Sequence, residues 1–173
     1  MLITSKGRYA LRLMIYIATC AALDDAELAG QAGELDGEAA DDAPVPATPA
    51  RGAKIALREV AEREHISLKY LEQLVRPLMA AGLLTSVRGK GGGYVLARPA
   101  SAIRAGDILR AAEGDRSAIA CDGLEGTCGR SELCTTVQFW AGLEDAIDAY
   151  VDGVTLADLV HVPRLSLERT AQV

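Results

Sequence analysis

The chain is poor in the residues that enzymes most often rely on: its 173 residues include two histidines, one tryptophan and one phenylalanine. Without a recognisable pairing of nucleophile and base, acid–base or covalent catalysis has little to work with, and the sequence is not that of an enzyme. Long apolar runs are missing as well. The stretch from Leu13 to Leu23 is 11 residues, too short to span a bilayer. Lys6, Arg8 and Arg12 precede it as in a signal peptide, yet Ile17-Ala18-Thr19 before Cys20 only loosely resembles a lipoprotein cleavage site. A buried first helix explains the run better, with Tyr9, Leu13 and Ile17 one turn apart and Met14 and Ile15 widening the stripe. These absences point to a cytoplasmic protein without a membrane partner, whose thiols are kept reduced.

Basic residues are absent from positions 24–50, which carry eight acids, and this shapes the whole charge distribution. Residues 1–23 and 51–100 hold 12 Lys and Arg against 4 acids, while residues 101–173 hold 6 against 12. The net charge of −6 therefore conceals a basic block able to follow phosphates. Segment 24–53, rich in Ala, Gly, Asp and Glu and closed by Pro44, Pro46 and Pro49, reads as a flexible acidic insertion, with at most a nascent helix.

Within the basic block, the order of signals is that of a winged helix-turn-helix. A short helix is expected over Leu57–Glu64, a turn at His65-Ile66, and a second helix capped by Ser67 and ending near Gly82. Leu68, Leu71, Leu74, Val75 and Leu78 recur at helical spacing on a face to be buried, with Lys69, Glu72, Gln73 and Arg76 opposite. Pro77 removes one hydrogen bond inside this helix, so a bend is expected there. Leu84–Arg88 and Gly93–Ala97 read as two strands joined by Gly89-Lys90-Gly91-Gly92, the wing. A phosphate cradle is the weaker reading of this glycine run, because neither a helix start nor a Lys-Ser or Lys-Thr pair follows, so no Walker loop or dinucleotide fingerprint is present.

Double-stranded promoter DNA is the partner this arrangement suits. The N-terminal part of the second helix enters the major groove in such proteins, making Ser67, Lys69, Tyr70, Glu72, Gln73 and Arg76 the candidate contacts. Gln73 can pair with adenine, Glu72 can accept from cytosine, and Arg76 or Lys69 can hold guanine or phosphate. In the wing, Arg88 and Lys90 can reach the minor groove or its phosphates, and glycines such as Gly91 let the backbone approach closely.

Beyond the wing, Ala105–Glu113 reads as a short helix closed by Gly114, followed by a loop with Cys121, Cys128 and Cys134 in a C-x6-C-x5-C array. Three thiols so close together in a reducing compartment suggest metal or redox chemistry, and the spacing is wider than that of paired zinc ligands, which favours an iron-sulfur cluster. Thiol-switch and zinc-binding roles stay open. Cys20 reads as a small buried hydrophobe. From about Thr135 to Asp152, Val137, Trp140, Leu143, Ile147, Tyr150 and Val151 share a helical face suited to a dimer interface or to packing within the monomer. Thr155 and Asp158 mark the start of a short last helix. The expected architecture is mainly α: a winged helix-turn-helix domain with a small β-hairpin wing over residues 1–100, a short helix and cysteine loop over 101–134, a long C-terminal dimerisation helix and short last helix over 135–160, and a tail over 161–173.

Four blocks carry a family resemblance: Leu2-Ile-Thr-Ser-Lys-Gly-Arg-Tyr-Ala10, Ile66-Ser-Leu-Lys-Tyr-Leu-Glu-Gln-Leu74, Ser86-Val-Arg-Gly-Lys-Gly-Gly-Gly-Tyr94 and the three-cysteine loop. In this order they resemble the bacterial winged-helix regulators that include the iron-sulfur regulator IscR and the nitric-oxide sensor NsrR. The resemblance implies a homodimer that binds a palindromic promoter element and holds a 2Fe-2S or 4Fe-4S cluster through Cys121, Cys128 and Cys134. It also implies that Glu72 tunes which DNA class is read, that Arg88 is the wing arginine, and that the signal is nitric oxide, oxygen or cluster supply. The sequence departs from the family where a fourth ligand is expected: Val137 replaces a His three residues after the last cysteine, and Arg8 stands where some members have an Asp. Asp122, Glu125, Glu132, a backbone group, a small thiol or solvent remain as candidates. The mechanism implied has two states, in which cluster binding orders residues 121–134 and sets the separation of the two reading helices.

Overall fold

The computed structural model describes residues 3–31, 54–89, 91–114, 121, 128–129 and 133–161, with side chains of 24–31 and 161 excepted. Among these residues, six α-helices and one hairpin appear in the order α1 (Ser5–Gln31), α2 (Leu57–Glu64), α3 (Leu68–Ala80), β1 (Leu84–Val87), β2 (Gly93–Leu96), α4 (Ala105–Glu113), α5 (Val137–Gly153) and α6 (Leu156–His161). A 3-10 turn, Ala100–Ala102, precedes α4. Helix α1 runs further than expected, eight residues into the acidic stretch, where Ala26, Glu27, Leu28 and Ala29 favour helix. The rest of the proposed insertion and the tail beyond 161 lie outside the described residues.

The core forms where the helical stripes meet. Ala10, Leu13, Met14 and Ile17 of α1 are buried with Leu71, Leu74 and Leu78 of α3 and Ile108 and Ala112 of α4. Each such leucine, isoleucine or methionine side chain contributes about 1.5–3 kcal/mol by leaving water. Leu68, expected on the buried face, is instead 37% exposed, because it stands at the first position of α3, where the core ends.

Local signals fix the helix-turn-helix. Ser67 Oγ accepts from the Tyr70 amide at 3.3 Å, satisfying one of the unpaired donors at the start of α3. His65 closes α2 in the left-handed region at φ 55°, a conformation usually left to glycine, and Gly82 does the same after α3 at φ 66°. Arg12 of α1 bridges to the carboxylate and carbonyl of Glu64, both at 2.8 Å, and the Tyr16 hydroxyl donates to Glu59, so α2 is tied to α1 by polar contacts. Burial and the bond to Glu59 hold the Tyr16 phenol well above its ordinary range.

The N-terminus of α1 is closed by a residue more than a hundred positions away. Glu113, the last residue of α4, accepts from the Thr4 amide, the Thr4 hydroxyl and the Gly7 amide, each at 2.7 Å. A Cβ on Gly7 would come within 2.8 Å of the same carboxylate oxygen, so glycine allows the clamp. Burial raises the pKa of Glu113, but these bonds and the nearby Lys6 more than offset it and hold the group below its ordinary 4.5. A depressed carboxylate stabilises the fold above its unfolded pKa and loses that contribution as pH falls through the folded value. Glu113→Ala is expected to cost about 2 kcal/mol at neutral pH, and the deficit of Glu113→Gln is expected to shrink below about pH 4. Urea denaturation between pH 3 and 7 measures both, and a deficit of Glu113→Gln that does not change with pH would contradict the ionised clamp.

Candidate nucleic-acid interface and cysteine loop

The exposed face of α3 and the hairpin lie side by side. Ser67, Lys69, Glu72, Gln73 and Arg76 are exposed on α3, while Leu71, Leu74, Val75 and Leu78 fix the opposite face in the core. Tyr70 behaves differently. It is half-buried and packs edge-on against Tyr9 of α1 with ring centroids 5.8 Å apart and planes at 86°, and the Arg12 guanidinium lies 5.7 Å from the Tyr9 ring. This aromatic pair orients α3 on α1, a role that spacing along the chain does not reveal.

The wing is a two-stranded antiparallel hairpin with Leu84 opposite Leu96 and Val87 opposite Gly93. A third segment joins it: Ile55 exchanges hydrogen bonds with Tyr94, amide to carbonyl in both directions, at 3.0 and 2.9 Å. The glycine run answers two needs. Gly89 and Gly91 have positive φ, 110° and 74°, and both are exposed, so they shape the turn. Gly92 and Gly93 are required by the hairpin itself, since a Cβ on Gly93 would stand 2.6 Å from the Ile55 carbonyl oxygen and one on Gly92 would meet the Val87 carbonyl. Arg88 is exposed beside the turn, and Lys90 lies outside the described residues.

Between α3 and the wing runs an open groove of about 490 Å³. Glu72 lines it from α3, Arg58 from α2, and Ser86 and Gly89 from the hairpin. Periodicity does not point to Arg58 or Ser86, which enter the site because α2 and β1 flank α3 in space. The groove sets the Glu72 carboxylate and the Arg58 guanidinium among hydroxyl and backbone groups and the apolar side chains of Leu57, Leu68 and Val87, a surface that offers both hydrogen-bonding and apolar contacts.

Cys121, Cys128 and Cys134 are half-buried and, like Cys20, take part in no disulfide among the described residues; the Cys20 side chain packs at the edge of the core. Cys134 Sγ lies 3.3 Å from the Thr136 hydroxyl, at the entry to α5, and Val137 is the first residue of that helix. Among the described residues, no three His, Cys, Asp or Glu side chains gather closely enough to hold a metal ion. Asp122, Glu125 and Glu132, considered above as fourth ligands, lie outside the described residues. By donor chemistry, three thiols in one loop fit an iron-sulfur cluster.

Helix α5 leaves much of its apolar side uncovered: Phe139 is 64% and Tyr150 74% exposed, and only Val151 of the helix is buried. Among the described residues, no helix is long and apolar enough to cross a membrane. One test bears on the wing directly. Gly93→Ala must displace the Ile55 carbonyl and is expected to cost about 2 kcal/mol. Gly129→Ala, where a Cβ meets open space, serves as the control. Equal melting temperatures for the two would contradict the close approach.

The comparisons with known proteins agree with this geometry. Residues 47–162 match the Rrf2 family, described as iron-dependent transcriptional regulators. The HTH-type transcriptional regulator IscR of Yersinia enterocolitica is 37% identical over 161 residues, covering 93% of this chain and 80% of that protein. Among solved structures, CymR, the global cysteine regulator of B. subtilis, superposes with a TM-score of 0.63 at 33% identity, over 92% of this chain and 96% of its own. IscR of T. potens superposes with a TM-score of 0.59 at 29% identity, over 92% of this chain and 86% of its own. These relatives are regulators rather than enzymes, and the chain belongs to the Rrf2 family of iron-dependent transcriptional regulators.

Proposed function

We propose that this transcriptional regulator of the IscR type is a cytoplasmic homodimer that reads a palindromic promoter element and senses iron-sulfur status, nitric oxide or redox state through its three loop cysteines. The observation that carries the reading is the exposed edge of α3 beside the wing, where Glu72, Gln73, Arg76 and Arg88 stand free of the core. Ser67, Lys69 and Gly91 complete the DNA-facing set, with Lys90 by sequence position. Tyr70, held against Tyr9, offers its remaining edge and serves mainly to orient the helix.

Glu72 acts as a selector. A carboxylate in a groove entered by phosphates is repelled unless a donor such as cytosine N4 meets it, so it penalises wrong sequences more than it strengthens right ones. The uncovered Phe139, Leu143 and Tyr150 of α5 support association through this helix. Two-fold symmetry then places half-sites about one DNA turn, ~34 Å, apart.

Cys121, Cys128 and Cys134 would hold the cluster as thiolates, with Val137 leaving the fourth position to another group. When bound, such a cluster supplies reactivity toward nitric oxide and oxygen. The chain's own contribution is placement: in sequence the three cysteines lie between the Glu113 clamp at the end of α4 and the start of α5, so a cluster held by them would act next to both. A second reading, a thiol switch or zinc site on the same cysteines, is favoured by Val137, which offers no side-chain ligand where a cluster's fourth would be expected.

Gln73→Ala and Arg88→Ala are each expected to weaken specific operator binding about tenfold or more while leaving metal content unchanged. Cys128→Ser is expected to abolish iron and sulfide binding and leave the fold intact. Anaerobic purification with visible absorption, iron and sulfide assays and mobility shifts reads all three. Unaltered affinity in the first pair would overturn the contact assignment, and a metal-free wild type after anaerobic reconstitution would favour the thiol switch.

A further inference from the structure

Among the described residues, helix α5 is joined to the other elements mainly through α4. The buried apolar contact there is between Leu109 of α4 and Val151 of α5. The remainder is polar and directional. Arg110 of α4 donates both terminal nitrogens to Asp152 of α5, at 2.6 and 3.2 Å, a two-point contact that fixes the planes of both groups. The bond to Asp152 holds the Arg110 guanidinium above its ordinary range. Gly106 lets the helices close up, since a Cβ there would collide with Asp152 Oδ1. Just beyond α5, the Ala105 amide donates to the Val154 carbonyl at 2.9 Å and the Leu156 amide to the Ile103 carbonyl at 2.8 Å.

The polar joint extends to the foot of the wing. Asp107 lies 3.5 Å from Arg110 and 3.7 Å from Arg98, which follows β2. Arg98, Asp107, Arg110 and Asp152 therefore form a chain of alternating charge from the wing to the last turn of α5. Ion pairs this exposed add little to stability, whereas a bidentate pair between two helices restricts their relative angle. Angle is what a two-fold DNA reader needs to control. A helix of 17 residues is about 25 Å long, so a 10° change at one end moves the other by about 4 Å, roughly the rise of one base pair.

We infer that the Arg110–Asp152 pair is a positioning contact that sets the angle between α5 and the reader, and through it the half-site spacing the dimer accepts. This rests on the reading of the protein as an α5-paired DNA-binding dimer. Neither residue lies on the DNA-facing surface, so weakening the pair loosens spacing rather than base recognition.

The test compares wild type, Arg110→Gln and Asp152→Asn in the full chain. Each is checked for fold by circular dichroism and for dimer mass by sedimentation. Affinity is then measured on palindromic operators whose half-sites are moved one base pair closer or farther apart. Wild type is expected to bind its best spacing about tenfold or more tighter than the neighbours. In both variants that preference is expected to fall to about threefold or less, while a base change within a half-site costs as much as in wild type. Arg110→Lys, which keeps the charge but loses the planar fork, is expected to fall between. A folded, dimeric variant with the wild-type spacing preference overturns the inference and leaves the function standing. Should Arg110→Gln not fold, Asp152→Asn decides alone by the same criterion, and Arg110→Lys does so if neither folds. A wild type that is monomeric, or indifferent to palindromic DNA, overturns the functional reading and this inference with it.

Discussion

The structure depends on the carboxylate of Glu113, which gathers the first turn of α1 onto the end of α4. Free amides at a helix start need acceptors, and here the acceptor comes from the far end of the folded unit rather than from a neighbouring cap. Because α1 is held there, Tyr9 stands where it can pack against Tyr70 and Arg12 where it can reach Glu64. The orientation of α3 follows from those contacts. The clamp adjoins Gly114, from which the chain enters the cysteine loop, so the segment that carries the thiols begins at the residue that fixes the reader.

Electrostatics divides the molecule by task. The net charge of −6 describes no single surface, since positive charge collects around the helix-turn-helix and negative charge elsewhere. Several basic residues of the reader nevertheless serve the fold. Arg12 is spent on Glu64 and Tyr9, and Arg98 faces Asp107, while Lys69, Arg76 and Arg88 are left exposed. A count of basic residues in the block thus overstates what is available to phosphates. The wing shows the same division, with Gly89 and Gly91 shaping the exposed turn and Gly92 and Gly93 making room for Val87 and Ile55.

Much of this was legible in the sequence because the relevant physics is local. Periodic leucines, the Ser67 cap, Gly82 and the strand–glycine–strand pattern each act within a few residues, so α2, α3, α4 and the hairpin emerge close to their expected limits. The same holds for Thr155 and Asp158, whose reciprocal bonds open α6. Exposure of Glu72, Gln73 and Arg76 follows from the helical period once the buried face is known.

Contacts between distant positions had no such signal. Residue order alone carried the elements and the polarity of α3, since propensity, period and residue type are properties of short segments. Packing in three dimensions is what brings Glu113 to cap α1, ties Tyr70 to Tyr9, pairs Ile55 with Tyr94, sets Arg58 in a groove with Glu72, and joins Arg110 to Asp152. Each joins residues from separate elements, and hydrogen bonds and ring contacts act over a few ångströms in space whatever the separation along the chain.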